Sequence, residues 1–112
     1  MSKNNFFIVL IFSILLLVSC NKEPLISEEY QLMYVYIGEE LVYQTEEESV
    51  IEETKHKINT SRRETTHEWE VPAFIGSIVF RNTDSELKVN LHEGGDVTID
   101  EYYVYTEFDF YK

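Results

Sequence analysis

Few side chains in this 112-residue chain are of the types that carry covalent chemistry: one cysteine, Cys20, and three histidines, His56, His67 and His92. Nucleophilic catalysis needs a hydroxyl or thiol beside an oriented base. No serine occupies the Gly-x-Ser-x-Gly pattern of a nucleophile elbow, and no spacing brings a histidine to a hydroxyl. We therefore predict solvent-exposed histidines and a protein that is not an enzyme.

Metal-ligating patterns are incomplete. His67 and His92 are each followed by glutamate, as in the His-Glu-x-x-His motif of zinc proteases, but the second histidine four residues on is missing. The closest groups of acidic residues are Asp84/Glu86 and Asp96/Asp100/Glu101. Neither follows the EF-hand spacing for calcium, and aspartate in a turn is ordinary turn chemistry. We predict no metal site and no cofactor, with a calcium-binding or small-ligand module as an alternative.

The segment before Cys20 has a pattern of its own. A positively charged start with Lys3 precedes an apolar run over residues 6–18, which leads into the tetrapeptide Leu17-Val18-Ser19-Cys20. This order is typical of a secretory signal, and the tetrapeptide resembles the lipobox of bacterial lipoproteins. The resemblance implies that residues 1–19 are removed as a signal peptide and that the Cys20 thiol receives a diacylglyceryl group. It also implies acylation of the new amino terminus, for example with palmitate.

Two alternatives exist for the first 19 residues. An ordinary secretory signal fits the apolar run, but it leaves unexplained why the sole cysteine directly follows the expected cut. An uncleaved membrane anchor needs about 20 apolar residues, whereas the run offers 13 positions. We therefore favour lipid anchoring at Cys20.

Residues 20–29 are polar, contain Pro24 and show no periodicity, which predicts a short lipidated tether. Asn21 stands where enterobacterial lipoproteins retained in the inner membrane have aspartate. The resemblance therefore implies a cell-envelope location, in the outer membrane of a Gram-negative host or otherwise on the outer face of the cytoplasmic membrane. Lys22-Glu23 weakly resembles the charged signal of surface lipoproteins in Bacteroidetes, although Pro24 departs from that pattern, so surface display is an alternative to a periplasm-facing position.

The charge of the chain restricts its partners. The formal net charge is −12, and removal of residues 1–19 takes away one lysine, which leaves 93 residues with a charge of −13. Such a charge repels nucleic-acid phosphates and anionic lipid surfaces, so we predict no nucleic-acid partner. It favours a basic protein partner or bound cations, or else it only keeps a tethered domain soluble. Because Cys20 is committed to lipid, residues 30–112 must be held together as a single domain by apolar packing without a disulfide.

Strand patterns dominate residues 30–112. Residues 30–37 are apolar on both faces, which suits a central or doubly covered strand, and Gly38-Glu39-Glu40 predicts a hairpin turn into a second strand at 41–43. The other predicted strands are one that ends at Pro72 and those at 77–82, 86–92, 97–99 and 102–111, with turns at 83–85, 94–96 and 100–101. The pattern predicts a mainly β fold, a small antiparallel β-sandwich or barrel of about six to seven strands.

One segment, residues 46–58, fits two structures. Thr45 and Glu48 have capping-box spacing, and apolar residues recur at helical intervals, which favours a short helix. The same residues also alternate as a polar strand, whose partner would be a strand over residues 65–71. We favour the helix.

The end of the chain carries the one candidate binding surface. Five aromatic and acidic residues would share one face of the last predicted strand: Tyr103, Tyr105, Tyr111, Glu107 and Asp109. Tyrosine combines contact area with a polar tip and is favoured at protein interfaces. The same face equally suits packing beneath a second layer of sheet.

These patterns together predict a lipid-anchored, non-catalytic protein of the cell envelope that acts by protein binding or structural support. A narrower alternative is an acidic inhibitor or immunity lipoprotein directed against a basic, envelope-attacking protein. Small acidic β-barrel lipoproteins that block lysozyme share this general composition, although their serine–glycine-rich inhibitory motif is missing from this chain.

Lipid attachment can be tested in the native host by feeding radiolabelled palmitate. We expect the wild-type protein to be labelled and its intact mass to show the loss of residues 1–19, and we expect Cys20→Ala to remain unlabelled because the acceptor thiol is gone. A wild-type protein that carries an unmodified thiol, or that retains residues 1–19, would contradict lipidation.

Overall fold

The computed structural model describes residues 23–67 and 70–110. These residues form seven strands and one helix, which in chain order are β1 Leu32–Ile37, β2 Glu40–Thr45, α1 Glu48–Thr60, β3 Arg63–Thr65, β4 Phe74–Arg81, β5 Glu86–His92, β6 Val97–Ile99 and β7 Tyr102–Val104. The mainly β class and the predicted number of strands are therefore confirmed.

All seven strands belong to one antiparallel sheet with the order β2-β1-β4-β5-β6-β7-β3. Hairpins connect β1 to β2 and run in series from β4 to β7, whereas the β1–β4 and β3–β7 pairings join distant parts of the chain. β1 lies between β2 and β4, as its apolar residues on both faces predicted. The edges of the sheet are β2 and β3.

One face of the sheet, the inner face, forms the core with α1. Facing residues of neighbouring strands pair across it, such as Met33 with Phe80 and Val35 with Ile78. The other buried apolar members of this cluster are Ile26, Tyr30, Ile51, Ile58, Val89, Leu91, Val97, Ile99, Val104 and Phe108. Each fully buried aliphatic or aromatic side chain contributes about 1.5–3 kcal/mol relative to exposure, so this cluster is the main source of stability.

The helix prediction for residues 46–58 is confirmed, with the observed helix shifted to Glu48–Thr60. Ile51 and Ile58 lie on its buried face, two turns apart, as helical spacing requires. The capping box is wrong in detail, because Thr45 is the last residue of β2 and its hydroxyl accepts a hydrogen bond of 3.0 Å from the Glu47 amide. The alternative strand over residues 65–71 is also wrong within the described residues, since β3 ends at Thr65.

The chain beyond β7 departs from the prediction. A strand was expected over residues 102–111, but β7 ends at Val104, and residues 105–109 have no regular secondary structure. Glu107 has a φ of 53°, which interrupts any extended strand. The segment turns back instead, and the Phe108 amide donates to the Gly95 carbonyl at 2.8 Å. Residues 70–73, expected to end a strand at Pro72, likewise have no regular structure.

The described part of the tether, residues 23–29, packs against the domain. Ile26 is buried in the core, and its backbone amide and carbonyl each form a 2.9 Å hydrogen bond with the Asn59 side chain at the end of α1. Near the start of the segment, Arg63 Nη2 donates to the Glu23 carbonyl at 2.9 Å. The folded unit therefore extends to within three residues of Cys20.

Within residues 23–67 and 70–110, no helix combines the length and apolar character that a bilayer-crossing helix requires. α1 has 13 residues and is polar along one side.

The turn between β5 and β6 provides a test of the packing of the C-terminal segment. Gly94 and Gly95 have φ values of +92° and +94°, but only a Cβ on Gly95 would overlap the backbone of Phe108; a Cβ on Gly94 would meet open space. We expect Gly94→Ala to cost about 1–2 kcal/mol of unfolding free energy through backbone strain alone. We expect Gly95→Ala to cost about 4 kcal/mol or more, because the Phe108 segment must also move.

Urea unfolding of the two variants measures this difference. Equal losses for Gly94→Ala and Gly95→Ala would show that residues 105–110 do not pack on the turn.

Candidate binding surface

The structure separates the two described tyrosines of the predicted binding surface by burial. Tyr103 is 5% exposed, and its hydroxyl donates to Asp96 Oδ2 at 2.9 Å. Tyr105 is half-buried, its hydroxyl donates to Glu64 Oε2 at 3.1 Å, and the Arg62 guanidinium carbon lies 4.0 Å from the ring centroid. Burial, reinforced by the hydrogen bond to Asp96, raises the pKa of Tyr103; desolvation followed by the bond to Glu64 raises the pKa of Tyr105.

The acidic members of that surface lie in the irregular segment that follows β7. Glu107 and Asp109 are exposed, and the Glu107 amide donates to Asp96 Oδ1 at 3.2 Å. Asp96 therefore holds the Tyr103 hydroxyl with one oxygen and the Glu107 backbone with the other. Tyr111 lies outside the described residues. Tyr103 and Glu107 thus meet at Asp96 while the Tyr105 hydroxyl contacts Glu64, and the described members do not share one strand face.

His92 contradicts the expectation of exposed histidines, whereas His56 and His67 are exposed as predicted. The His92 ring is 2% exposed, with Nδ1 at 2.8 Å from the Pro72 carbonyl oxygen and Nε2 at 2.9 Å from Thr98 Oγ1. The sequence missed this arrangement because Pro72 and its loop fold over β5 from twenty residues away.

The contact between His92 and the Thr98 hydroxyl has the spacing of a base and a nucleophile. The Pro72 carbonyl occupies the place that a carboxylate has in a catalytic triad. It accepts the Nδ1 hydrogen and orients the ring, but it carries no charge to stabilise an imidazolium as a carboxylate would. The arrangement is that of a satisfied buried histidine that fastens the loop at residues 70–73 to β5 and β6.

The acidic groups considered for calcium do not converge in the described parts of the chain. No three histidine, cysteine, aspartate or glutamate side chains of residues 23–67 and 70–110 are placed to hold one metal ion. Asp96 is engaged by Tyr103 and by the Glu107 amide.

Most basic side chains are held by their own chain. Of the six lysines and arginines in the described ranges, all except Lys88 contact a carboxylate, a backbone carbonyl or an aromatic ring. Lys55 is the most buried: its side chain is 6% exposed and lies 3.3 Å from Glu52 and 3.7 Å from Glu29. A hydrogen bond with Glu29, together with Lys55, lowers the pKa of Glu52. Three arginines lie over tyrosine rings: Arg62 over Tyr105, Arg63 over Tyr102 and Arg81 over Tyr34.

The acidic side chains have the opposite arrangement. Of the 20 aspartates and glutamates described, four form ion pairs with a described lysine or arginine, Glu101 lies 2.9 Å from His67 Nε2, and the other 15 have no such contact. Two groups of exposed glutamates lie at the two ends of β2, namely Glu39 and Glu40 at its start and Glu46, Glu47 and Glu48 after it. The basic side chains are therefore mostly paired within the chain, although Arg62 and Arg81 stay exposed, whereas most carboxylates in the described residues have no cationic partner.

An apolar patch on the outer face of the sheet was missed by the sequence analysis. Tyr34 and Tyr36 of β1 are half-buried there with their ring centroids 6.5 Å apart, and Leu41 of β2 pairs with Tyr36. Leu41 and Val42 are 44% and 40% exposed, and Phe74 is 62% exposed. Tyr34, Tyr36, Leu41 and the adjacent Val42 are the outer patch, whereas Phe74 lies on β4 with its ring edge-on to His92. The signal of the patch in the sequence was the second apolar face of β1, which suggested a covering layer, yet none of the described residues covers Leu41, Val42 or Phe74.

Comparison of the chain with protein-family models, with curated proteins and with solved structures finds no match. The functional conclusion is therefore drawn from the residues and their geometry.

The hydrogen bond between Tyr103 and Asp96 predicts a specific loss of stability. Tyr103→Phe should lower the unfolding free energy by about 1–2 kcal/mol near pH 7, since it leaves Asp96 partly unpaired. Tyr105→Phe, the matched control with a solvent-exposed bond to Glu64, should change it by less than about 0.5 kcal/mol. Because the pKa of Tyr103 is raised in the folded state, its contribution is complete below about pH 10, where an unfolded tyrosine ionises, and declines as the pH rises further.

Urea titrations at pH 7 and at pH 10.5 measure both effects. Tyr103→Phe should lose less stability than wild type between these two pH values; equal losses would contradict the buried Tyr103–Asp96 contact.

Proposed function

We propose that this chain is a lipid-anchored protein of the bacterial cell envelope that acts without catalysis by binding a basic protein partner. The observation that carries the proposal is the excess of unpaired carboxylates described above: five of the six described lysines and arginines contact groups of their own chain, and 15 of the 20 described carboxylates form no ion pair. An acidic surface accelerates encounter with basic partners and disfavours acidic ones.

The outer patch supports a role in protein binding. If the negative charge served only to keep the domain soluble, an exposed apolar patch would have no purpose. Exposed carboxylates steer a partner, but affinity comes mainly from buried apolar and aromatic contacts at the centre of an interface. Leu41, Val42 and the two tyrosines Tyr34 and Tyr36 provide such contacts between the two groups of glutamates at the two ends of β2. Tyrosine is among the residue types that contribute most to interfaces.

The anchor supports an envelope location close to the membrane. If Cys20 carries lipid, only two residues separate it from Glu23, whose carbonyl is bound by Arg63. At no more than about 3.6 Å per residue, the chain from Cys20 to Glu23 spans about 11 Å. The domain would therefore be held next to the bilayer with the β3 end of the sheet nearest the lipid.

A narrower form of the proposal is that the partner is a basic protein that attacks the envelope, which this chain neutralises. The same acidic surface and apolar patch support it, because an inhibitor of such a protein needs charge complementarity for rapid capture and an apolar centre for slow release.

Affinity capture from the envelope and secreted fractions of the host tests the proposal. We expect the lipidated wild-type protein to retain a protein with a pI above about 9 at physiological salt and to release it at high salt, because the Debye length falls from about 8 Å at 0.15 M to about 3 Å at 1 M. Converting the glutamates at the two ends of β2 (Glu39, Glu40, Glu46, Glu47 and Glu48) to glutamine should weaken capture at least about 10-fold.

The matched control converts five acidic residues elsewhere (Glu53, Glu70, Asp84, Glu93 and Asp100) to their amides, with the same change in net charge. We expect this control to retain the partner. Capture of no basic protein by the wild type, or capture that persists unchanged in 1 M salt, would contradict the proposed function.

A further inference from the structure

β2 is a free edge of the sheet in the described structure. It pairs with β1 alone, and no backbone hydrogen bond from residues 40–45 to any other described segment completes its second side. The opposite edge, β3, has only three residues and is flanked by the N-terminal segment through the bond between Arg63 and the Glu23 carbonyl. β2 is therefore the longer and more accessible of the two edges.

β2 has one protective feature of an edge strand, a β-bulge, but lacks the protection that lysine or proline would give. Exposed edges are normally guarded by lysine, proline or inward-pointing charge, because unpaired backbone groups recruit other strands. β2 contains neither lysine nor proline, and its centre presents Leu41 and Val42 to solvent. A single irregularity, the shift in register opposite Val35 and Tyr36, makes Val42 an extra residue in the strand.

We propose that β2 binds an extended segment of a basic protein partner as an eighth strand of the sheet. This inference rests on the proposed function and names the site and the binding mode. Strand addition obtains affinity from backbone hydrogen bonds and specificity from alternate side chains. The segment that fits β2 is apolar at its centre, to contact Leu41 and Val42, and carries lysine or arginine at both ends.

Charge determines which occupant fits. The apolar centre of β2 lies between Glu39 and Glu40 on one side and Glu46 and Glu47 on the other. Antiparallel pairing of two copies centred on Tyr43 would place Glu40 of each copy opposite Glu46 of the other, and like charges directly opposite each other destabilise a sheet. A segment with basic ends replaces both repulsions with attractions, each worth about 0.2–1 kcal/mol.

The position of the edge is consistent with capture of an external partner. Two residues separate β2 from α1, and two residues separate α1 from β3. The 13 residues of α1 span about 20 Å at 1.5 Å per residue. The tether docks beside β3 and the end of α1, through Arg63 and Asn59. β2 therefore lies at the end of the helix farther from the lipid attachment expected at Cys20.

Two synthetic peptides with identical charge distinguish strand addition from a general electrostatic attraction to the acidic surface. The first is the blocked peptide KKTVTVTKK, and the second is the same peptide with N-methyl groups on its three central amides, which removes backbone donors and prevents strand pairing. Binding of fluorescent versions to the full lipidated chain in detergent is measured by anisotropy. We expect the N-methylated peptide to bind at least 10-fold more weakly than the first.

Variants of β2 provide the second arm. Leu41→Lys and Val42→Lys should each weaken the unmethylated peptide at least 10-fold, because they remove apolar contact and place a cation beside its basic ends. Glu93→Gln, which makes the same change of one charge unit in the β5–β6 turn, should weaken it less than 2-fold. Far-ultraviolet circular dichroism confirms that each variant is folded, as expected for substitutions at exposed positions.

The outcomes distinguish this inference from the proposed function. Equal binding of the two peptides would overturn strand addition while leaving an acidic surface that attracts basic segments. Binding of neither peptide, or equal binding by Leu41→Lys and wild type, would also overturn strand addition. The capture experiment with the glutamine variant independently decides whether a basic partner exists.

Discussion

The structure depends on burial of the inner face of the sheet beneath one short helix. With its single cysteine at position 20, the domain has no disulfide to supplement apolar packing. α1 provides Ile51 and Ile58, and the remaining cover comes from Ile26 before the first strand and Phe108 after the last one. Both ends of the described chain are thus structural parts of the core, and neither is a loose extension of it.

This arrangement explains why the C-terminal segment turns back instead of continuing β7. Phe108 must reach the core near Gly95, which only a residue without a Cβ permits, and Phe110 stacks on Tyr43 with ring centroids 5.9 Å apart. Asp96 fixes the path by accepting hydrogen bonds from Tyr103 and from the Glu107 amide. Residues 105–110 thus close the core, and among the residues that the structure describes no equivalent segment covers Leu41 and Val42 of β2.

Local patterns predicted most of the fold, and long-range contacts produced the errors. The β1–β2 hairpin, the alternation of β5 and the glycine turn at residues 94–96 follow from nearest neighbours, so sequence reasoning found them. The end of β7 and the burial of His92 depend on segments that approach from elsewhere, namely the Gly95 turn and the Pro72 loop. The sequence analysis predicted an exposed His92 because the nearby residues Asn90 and Glu93 are polar. In the structure, tertiary packing covers the His92 ring.

The sequence predicted the sign of the surface charge but not how the charges are distributed over the surface. A net charge of −12 indicated an acidic protein, but only the structure places arginines over tyrosine rings and Lys55 between two glutamates. Likewise, the two apolar faces of β1 signalled that something covers the second face, and the described chain leaves Leu41 and Val42 of the neighbouring strand exposed. An acidic exterior around an apolar patch is the feature on which the proposed protein-binding role depends.

The most direct test of that role is the salt dependence of the association rate between the lipidated protein and its captured partner, measured by surface plasmon resonance. If exposed carboxylates steer a basic partner, the association rate constant should fall at least about 10-fold between 50 mM and 500 mM NaCl while the dissociation rate changes much less. An association rate that is independent of salt over this range would contradict binding through the acidic surface.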